Sequence, residues 1–503
     1  MIELTFAQKE NIGFQYVLEA LRPCSPYGQE LVRELKPLKP FQKGELQRQL
    51  GNIRRVLEGE EACGKTLKRL QRILMSLKMV RSTAQKCRQT TLNEIELFEL
   101  KRFLLKTQEM LPLWQELQPH LMLEGIDLKD TEAALDILDP ERNRVASFYI
   151  ADGCSSTLRG LRREKRELEE RIRRTPEGDV REELLLLRSR VADQEQQEEA
   201  RIREEVSKAL VPHIPDLLYN MRAMGDLDLT VEKARLARLY GGVMPTLTES
   251  RFRMEDMVNP RIQDLLKEGG KTFTPVSIAL ERGATVITGA NMGGKSVALK
   301  TIALNILLIH CGFFPFAKTA EAPLFDSMHI ISEDLESIDR GLSSFGGEMT
   351  RFNQVVRELE RGFAFVLLDE FARGTNPDEG AAIVQAVTEY LNGKNAVTVL
   401  ATHYDNVACH ARAHYQVVGL RGLDARALRR EIAGMEDSVG MSLISRHMNY
   451  GLYRVEGKED CPRDALNICR LLGMDPVILD MVEKNWLIVK VNATTTEKMQ
   501  QLQ

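Results

Sequence analysis

The sequence predicts a multidomain chain: an all-α core and lever carrying a helical hairpin, then a C-terminal α/β domain built around a phosphate loop. Three observations carry that expectation. Residues 1–150 are leucine-rich and nearly free of β-branched runs, a helical signature. Residues 155–210 place apolar side chains at helical spacing on both sides of one strong turn. Beyond residue 280, three apolar runs of strand length each end in residues suited to chemistry. A chain of 503 residues has room for about two to four such domains.

The first element is a helical core and lever over residues 1–154, punctuated by Pro37 to Pro40 and by Pro112 and Pro119. The second spans residues 155–210. Leu158, Leu161, Leu168 and Ile172 mark one helix face; Val180, Leu184, Leu187 and Val191, then Ile202 and Val206, mark another. Thr175-Pro176-Glu177-Gly178-Asp179 between them is a turn. The segment reads as an antiparallel hairpin with a narrow apolar seam, its arms about 30–45 Å long at 1.5 Å per residue. Thr157 to Arg174 holds eight Lys/Arg against four Glu, and Glu177 to Lys208 six against ten Asp/Glu. The arms neutralise each other, as in a solvated, salt-bridged hairpin. A surface that grips nucleic acid carries surplus positive charge instead. Arg171, Arg173 and Arg174 beside the turn form a small basic patch that could touch nucleic acid.

After a helical return over residues 211–250 comes the α/β domain, expected over residues 251–435. Ala284 to Thr288 reads as a buried strand and Val297 to Ile309 as a helix. Between them, Gly289-Ala290-Asn291-Met292-Gly293-Gly294-Lys295-Ser296 fits the pattern G-x-x-x-x-G-K-[ST] in the context that the motif needs. Glycines let backbone N–H groups close around phosphates, Lys295 supplies a point charge, and the Ser296 hydroxyl can hold Mg²⁺. These residues imply a nucleotide. Phe363 to Leu368 is a second buried strand ending in Asp369-Glu370. Asp369 can hold the Mg²⁺ water shell, and Glu370 can orient and deprotonate a water, a pair suited to hydrolysis. A third strand, Ala396 to Leu400, runs into Ala401-Thr402-His403 and places an imidazole at the sheet edge where ligands of such folds sit. His403 alone would read as a structural strand-end residue; beside the other two corners it reads as catalytic. Asn376, Pro377 and Glu379 have the spacing of a capped helix start.

These motifs resemble the ATPase of the MutS family, a branch of the ABC-type ATPases. The family's G-P-N-M-G-G-K-S-T stands here as Gly289 to Val297, its D-E-x-x-R-G-T as Asp369 to Thr375, and its A-T-H-Y as Ala401 to Tyr404. Its S-T-F-x-x-E-M signature is Ser343-Ser344-Phe345-Gly346-Gly347-Glu348-Met349. The resemblance is strongest from about Val258 to Asp405. Upstream, Leu227 to Tyr240 and Pro245 resemble the helix that leads into the family's ATPase. Downstream, Tyr450-Gly451 and Leu472 to Pro476 resemble a C-terminal helical segment supporting dimerisation, expected over residues 436–490, before a polar tail at 491–503. Ala290 replaces the family's proline, Val297 its threonine and Ser344 the signature threonine, which leaves the phosphate donors and acceptors in place.

The resemblance implies a C-terminal ABC-type P-loop ATPase domain that takes ATP and Mg²⁺. It implies a homodimer in which Ser343 or Ser344, with Phe345, caps the ATP held by the other subunit. Arg373, Gly374, Thr375 and Asn376 then lie at the shared interface. Phe273 stands where the family places an adenine-stacking aromatic, and ordinary core explains it equally. Asp334 and Glu336 could be loop carboxylates near the nucleotide, but they read better as solvated loop charge. The hairpin's position matches the family's clamp, in a shorter form. The chain begins with what resembles the family's helical core, and none of its 17 Phe residues has Glu two positions later, so no mismatch wedge is expected. Nor is the nuclease-like domain that ends the second MutS-like family.

Composition narrows the client. A net charge of −4 and a pI near 6.2 give no global basic field. Eight cysteines without a C-x-x-C pair read as reduced thiols of a cytosolic, cytoplasmic protein. The most apolar window, Val297 to Phe316, holds Lys300, Asn305 and His310 and reads as the helix after the phosphate loop, not as a membrane span. Two clients fit. One is DNA, bound by an ATP-gated clamp in mismatch-repair- or recombination-related work; the other is a protein, as in the MutS-like lineage associated with reactivating adenosylcobalamin-dependent amino-acid mutases. The missing wedge, acidic pI and neutral hairpin favour the protein; the family at large favours DNA, which is the expectation carried forward.

Overall fold

The computed structural model describes residues 2–147, 150, 152–289, 294–332, 344–404, 406–419, 449–456, 469–470, 474–482 and 484. The chain forms two compact units, residues 1–20, 37–46 and 237–503 in one, and 21–36 and 47–236 in the other. The helical core expected over residues 1–154 is thereby divided, because its first twenty residues and residues 37–46 belong with the phosphate-loop unit.

Two short helices open the chain, α1 (Phe6–Asn11) and α2 (Phe14–Ala20). The helical unit then holds α3 (Pro26–Arg33), most of α4 (Lys43–Met75), α5 (Arg81–Cys87), α6 (Glu94–Leu121), α7 (Glu132–Leu138), α8 (Ser156–Arg174), α9 (Asp179–Leu210) and most of α10 (Ile214–Tyr240). Its main polar anchor is Asp228 on α10. This buried carboxylate accepts the Ser25 N–H at 2.7 Å, the Ser25 hydroxyl at 2.6 Å and the Cys24 N–H at 3.1 Å. Ser25 in turn caps α3 by accepting the Gly28 N–H. A buried charge needs that degree of hydrogen bonding. Lys101 and Asp139, both buried, form an ion pair at 3.1 Å. Pro112 and Pro119 do not end helices as expected; both lie inside α6. Each is on the exposed side, where a carbonyl that loses its helical N–H partner can be hydrated.

Helices α8 and α9 form the expected hairpin, with the Ser155 hydroxyl accepting the Leu158 N–H at its start. Leu168, Leu184 and Val191 are buried in the seam, with Leu161 and Ile172 against them. Charges pair across it: Arg188 with Glu169 at 3.0 Å, Arg162 with Glu195 at 3.2 Å and with Glu199 at 2.8 Å. The neutral hairpin therefore ties itself together. Two residues expected in the seam are outside it: Val180 is 63% and Leu187 45% exposed. At 100° per residue they lie about 40–60° round the helix from Leu184, beyond the reach of the narrow partner face.

Among the described residues the phosphate-loop unit has ten strands: β1 (Thr246–Thr248), β2 (Phe252–Met257), β3 (Val276–Leu280), β4 (Gly283–Thr288), β5 (Thr319–Pro323), β6 (Ser327–Ser332), β7 (Ala364–Asp369), β8 (Ala396–Ala401), β9 (Ala413–Gly419) and β10 (Asn449–Arg454). They make a four-stranded sheet, ordered β1-β5-β2-β3, and a six-stranded sheet, ordered β10-β9-β4-β8-β7-β6. In the larger sheet β9, β4, β8, β7 and β6 are parallel and β10 is an antiparallel edge. The described helices of this unit beyond residue 250 are α11 (Pro260–Glu268), α12 (Lys295–His310), α13 (Ser344–Glu358) and α14 (Pro377–Asn392). Strand β10 corrects two expectations. Tyr450-Gly451 is strand, not helix, and the α/β domain runs past residue 435. The backbone of β9 offers an unpaired row of donors and acceptors that β10 covers. Residues 476–482 are helical as expected.

The far end of α12 is fixed by a buried imidazole. His310 Nδ1–H donates to the Leu38 carbonyl at 2.9 Å, Nε2 accepts the Phe325 N–H at 3.2 Å, and the Leu38 N–H donates to the His310 carbonyl at 2.7 Å. Burial pushes the imidazole from the usual 6.5 down to about 4. The folded chain thus binds one proton fewer than the unfolded chain between those values, so this group's contribution is complete above pH 6.5 and is lost as pH falls toward 4. Acidification across that window should cost about 3 kcal/mol through His310. Urea unfolding at several pH values should show the slope, and a His310→Asn variant should lose that part of it.

Candidate nucleotide site

Strand register assembles the site. Ile287, Ala401, Asp369 and Ser332 are successive partners on β4, β8, β7 and β6. These strands therefore end on one straight edge, and the phosphate loop, Thr402-His403 and Glu370 each emerge from it. With neighbouring strands about 4.8 Å apart, the start of the loop and Asp369 are about 10 Å apart.

The loop leaves β4 through Gly289 and enters α12 through Gly294, with φ of +146° and +85°. A Cβ on Gly289 would lie 3.1 Å from Val417 Cβ, and one on Gly294 would lie 2.8 Å from Tyr450 Cδ1. Conformation and space both demand glycine there. Lys295 opens α12, is 4% exposed, and donates from Nζ to the Gly289 carbonyl at 2.7 Å, so its side chain folds back over the loop. Ser296 and Val297 follow in the first turn, half-buried, where the helix dipole favours an anion. Ala290, Asn291, Met292 and Gly293 lie outside the described residues. Behind the loop, Thr288 Oγ1 is hydrogen-bonded to His414 Nε2 at 2.7 Å. No spacing in the sequence brings a histidine on β9 to that position.

Asp369 ends β7, buried. Glu370 and Ala372 then adopt φ of +50° and +61°, left-handed conformations that cost a non-glycine residue about 1–3 kcal/mol each. Three hydrogen bonds hold the turn. The Glu370 N–H donates to the Ala401 carbonyl at 3.0 Å, the Ala372 N–H to buried Glu348 Oε2 at 2.9 Å, and the Tyr404 hydroxyl to the Ala372 carbonyl at 3.0 Å. Arg373 Nη1 reaches Glu370 Oε2 at 2.6 Å. Glu348 and Tyr404 are thus supports of the Glu370 turn, a role that the sequence did not disclose. Gly380 on α14 makes the approach possible, since a Cβ there would lie 2.3 Å from the Tyr404 hydroxyl.

His403 is exposed, its ring 4.5 Å from that of Tyr404. Ser343, Asp334 and Glu336 lie outside the described residues; Ser344 is the first residue of α13. Phe345 is partly buried against its own subunit's core, which includes Phe352 and Phe371. Exposed Arg373 and Gly374 and half-buried Thr375 form the turn before α14, which Asn376 caps by accepting the Asp378 N–H at 2.9 Å. Glu379 takes the Thr375 hydroxyl at 3.3 Å instead of completing a capping box. Phe273 is half-buried in the loop before β3.

Residues 285–466 match the family model for MutS domain V. The chain carries a domain of the MutS family. Domain V is the ATPase domain of that family, and the match covers the phosphate loop, Asp369-Glu370 and His403. Endonuclease MutS2 of Geobacillus sp. (strain WCH70) is 32% identical over 223 residues, 43% of this chain and 27% of that protein. Endonuclease MutS2 of Shouchella clausii (strain KSM-K16) is 30% identical over 307 residues, 61% of this chain and 36% of that protein. Endonuclease MutS2 of Symbiobacterium thermophilum is 31% identical over 271 residues, 53% and 34% of the two chains. The matches thus span between 27% and 36% of these relatives' length.

The donors present suit Mg²⁺. Ser296 and Asp369 offer a hydroxyl and a carboxylate, the hard oxygen ligands that this ion takes while keeping waters and substrate phosphates. Among the described residues no group of three or more His, Cys, Asp or Glu could hold a metal ion. The seven described cysteines form no disulfide. No helix among the described residues is long and apolar enough to cross a membrane.

Proposed function

We propose that this chain binds ATP with Mg²⁺ at the carboxyl edge of the six-stranded sheet and hydrolyses it in sites shared between two copies, and that the cycle gates a hairpin clamp on DNA. The braced Glu370 carries the reading. A carboxylate directly after Asp369, held in a costly backbone conformation by three hydrogen bonds, is the kind of strain found at functional sites. Lys295 neutralises the terminal phosphates, and Ser296 and Asp369 would hold the ion, which supplies charge neutralisation. Glu370 orients the attacking water and takes its proton, with Arg373 fixing the carboxylate. His403 faces the same edge. Ser343 or Ser344 of a second copy completes the site.

DNA as the client rests on the family and on Arg171, Arg173 and Arg174, all exposed at the end of α8. Binding should be weak, indifferent to a single mismatch and biased toward branched DNA. Its affinity should fall with salt at a log–log slope of about −0.9 per phosphate contacted, and an R171E/R173E/R174E variant should abolish it. A mismatch preference above about tenfold, about 1.4 kcal/mol, would contradict the expectation that no wedge takes part. No DNA binding at low salt, with ATPase stimulated by a cellular protein, would replace the DNA clamp with a protein-remodelling ATPase.

A further inference from the structure

The start of the phosphate loop rests on strand β9 at two points. Gly289 is packed so closely against that strand that a Cβ on it would lie 3.1 Å from Val417 Cβ. One residue earlier, Thr288 Oγ1 and His414 Nε2 share a hydrogen bond of 2.7 Å. In the parallel register, Val286 lies opposite His414 and Thr288 opposite Gln416. Thr288 and His414 are therefore diagonal neighbours on one face of the sheet, a separation that an aromatic side chain can bridge. Gln416, the direct partner, is engaged from the edge strand: its Oε1 accepts the Tyr453 hydroxyl. The His414 carbonyl accepts the Val455 N–H at 2.9 Å, which ties its backbone to the residue that follows β10.

Thr288 is fully buried and β-branched, so few rotamers are open to it and a bond to its hydroxyl fixes the whole residue. A buried hydroxyl is costly without such a partner. Its peptide joins directly to Gly289, whose carbonyl takes the Lys295 ammonium at 2.7 Å. The orientation of that one peptide therefore sets where the loop begins and where the ammonium stands. We propose that His414 is a positioning residue of the nucleotide site: acting through Thr288, it holds the first peptide of the phosphate loop and with it the seat of Lys295. It works from behind the loop, on the strand side, while Asp369 and Glu370 come from β7 and are set by other contacts. The role rests on the nucleotide reading given above.

Titration of full-length variants with ATP and Mg²⁺, beside steady-state kinetics and thermal melts, tests this. Thr288→Val removes the hydroxyl at nearly constant volume and should weaken ATP binding about fivefold or more, the scale of one buried hydrogen bond. KM should rise in step, while kcat falls less than about twofold. Thr288→Ser keeps the hydroxyl and should bind within about twofold of wild type. His414→Phe keeps a ring, loses the nitrogen and should match Thr288→Val. The double variant should bind no more weakly than either single, since all three break the same bond. A pair that only stabilised the sheet would lower the melting temperature and leave the dissociation constant within about twofold of wild type. That result, single effects that multiply in the double variant, or Thr288→Ser as weak as Thr288→Val would overturn the role of His414 and leave the nucleotide site standing. Should His414→Phe fail to fold, the two Thr288 variants decide alone, because His414 is the partner of that hydroxyl among the described residues. A wild-type chain that binds no ATP would overturn the nucleotide reading itself.

Discussion

A Glu370→Gln chain should bind ATP as tightly as wild type and turn it over about 10²–10⁴-fold more slowly, the loss that follows removal of a positioned general base. The substitution is nearly isosteric, and it spares what shapes the turn. The Glu370 contact with the Ala401 carbonyl is made by its backbone N–H, and the Ala372 contacts involve Glu348 and Tyr404. The phosphate side of the site, centred on Lys295 and its bond to Gly289, is likewise untouched. Binding and turnover should therefore separate cleanly, affinity in a nucleotide titration staying put while the steady-state rate collapses. Turnover within threefold of wild type would remove Glu370 from the role of base.

Much of this site was legible in the sequence because its parts are local. Gly289 to Ser296 specifies a turn, a helix start and a charge within one stretch of chain, and α12 begins at Lys295. The all-apolar runs before Asp369 and Thr402 gave β7 and β8, because strands buried on both faces have no polar positions. The hairpin was read to within a residue or two, since a turn as marked as Thr175 to Asp179 between two periodic stretches leaves few alternatives. What was hidden depends on contacts distant in sequence. Glu348 supports Ala372 across 24 residues, and His414 meets Thr288 across 126; neither pairing leaves a periodic trace. The small sheet escaped notice because β2 pairs with β3 and β5 through exposed and buried residues mixed on short strands. Strand β10 is not legible in the sequence, because six residues with one glycine carry no periodicity strong enough to outweigh a family resemblance to helix. Prolines misled at α6, where exposure makes a broken helical hydrogen bond tolerable.

The claim at the centre of this account is that ATP is hydrolysed in sites that two copies build together, and mixing two inactive chains tests it most directly. Lys295→Ala removes the buried ammonium that folds over the phosphate loop. Ser344→Arg alters the first residue of α13, which the composite reading assigns to the other subunit's ATP. Each chain alone should be nearly inactive, one because its nucleotide is not held, the other because its partner's nucleotide is not capped. After subunit exchange, a mixed dimer joins the intact phosphate loop of the Ser344→Arg chain to the intact signature of the Lys295→Ala chain, giving one whole site and one doubly broken site. With random exchange about half of the dimers are mixed, so up to about a quarter of the wild-type rate should return. A mixture that stays as inactive as its components, or a wild-type chain that hydrolyses ATP as a monomer at a rate per chain independent of concentration, would contradict the account.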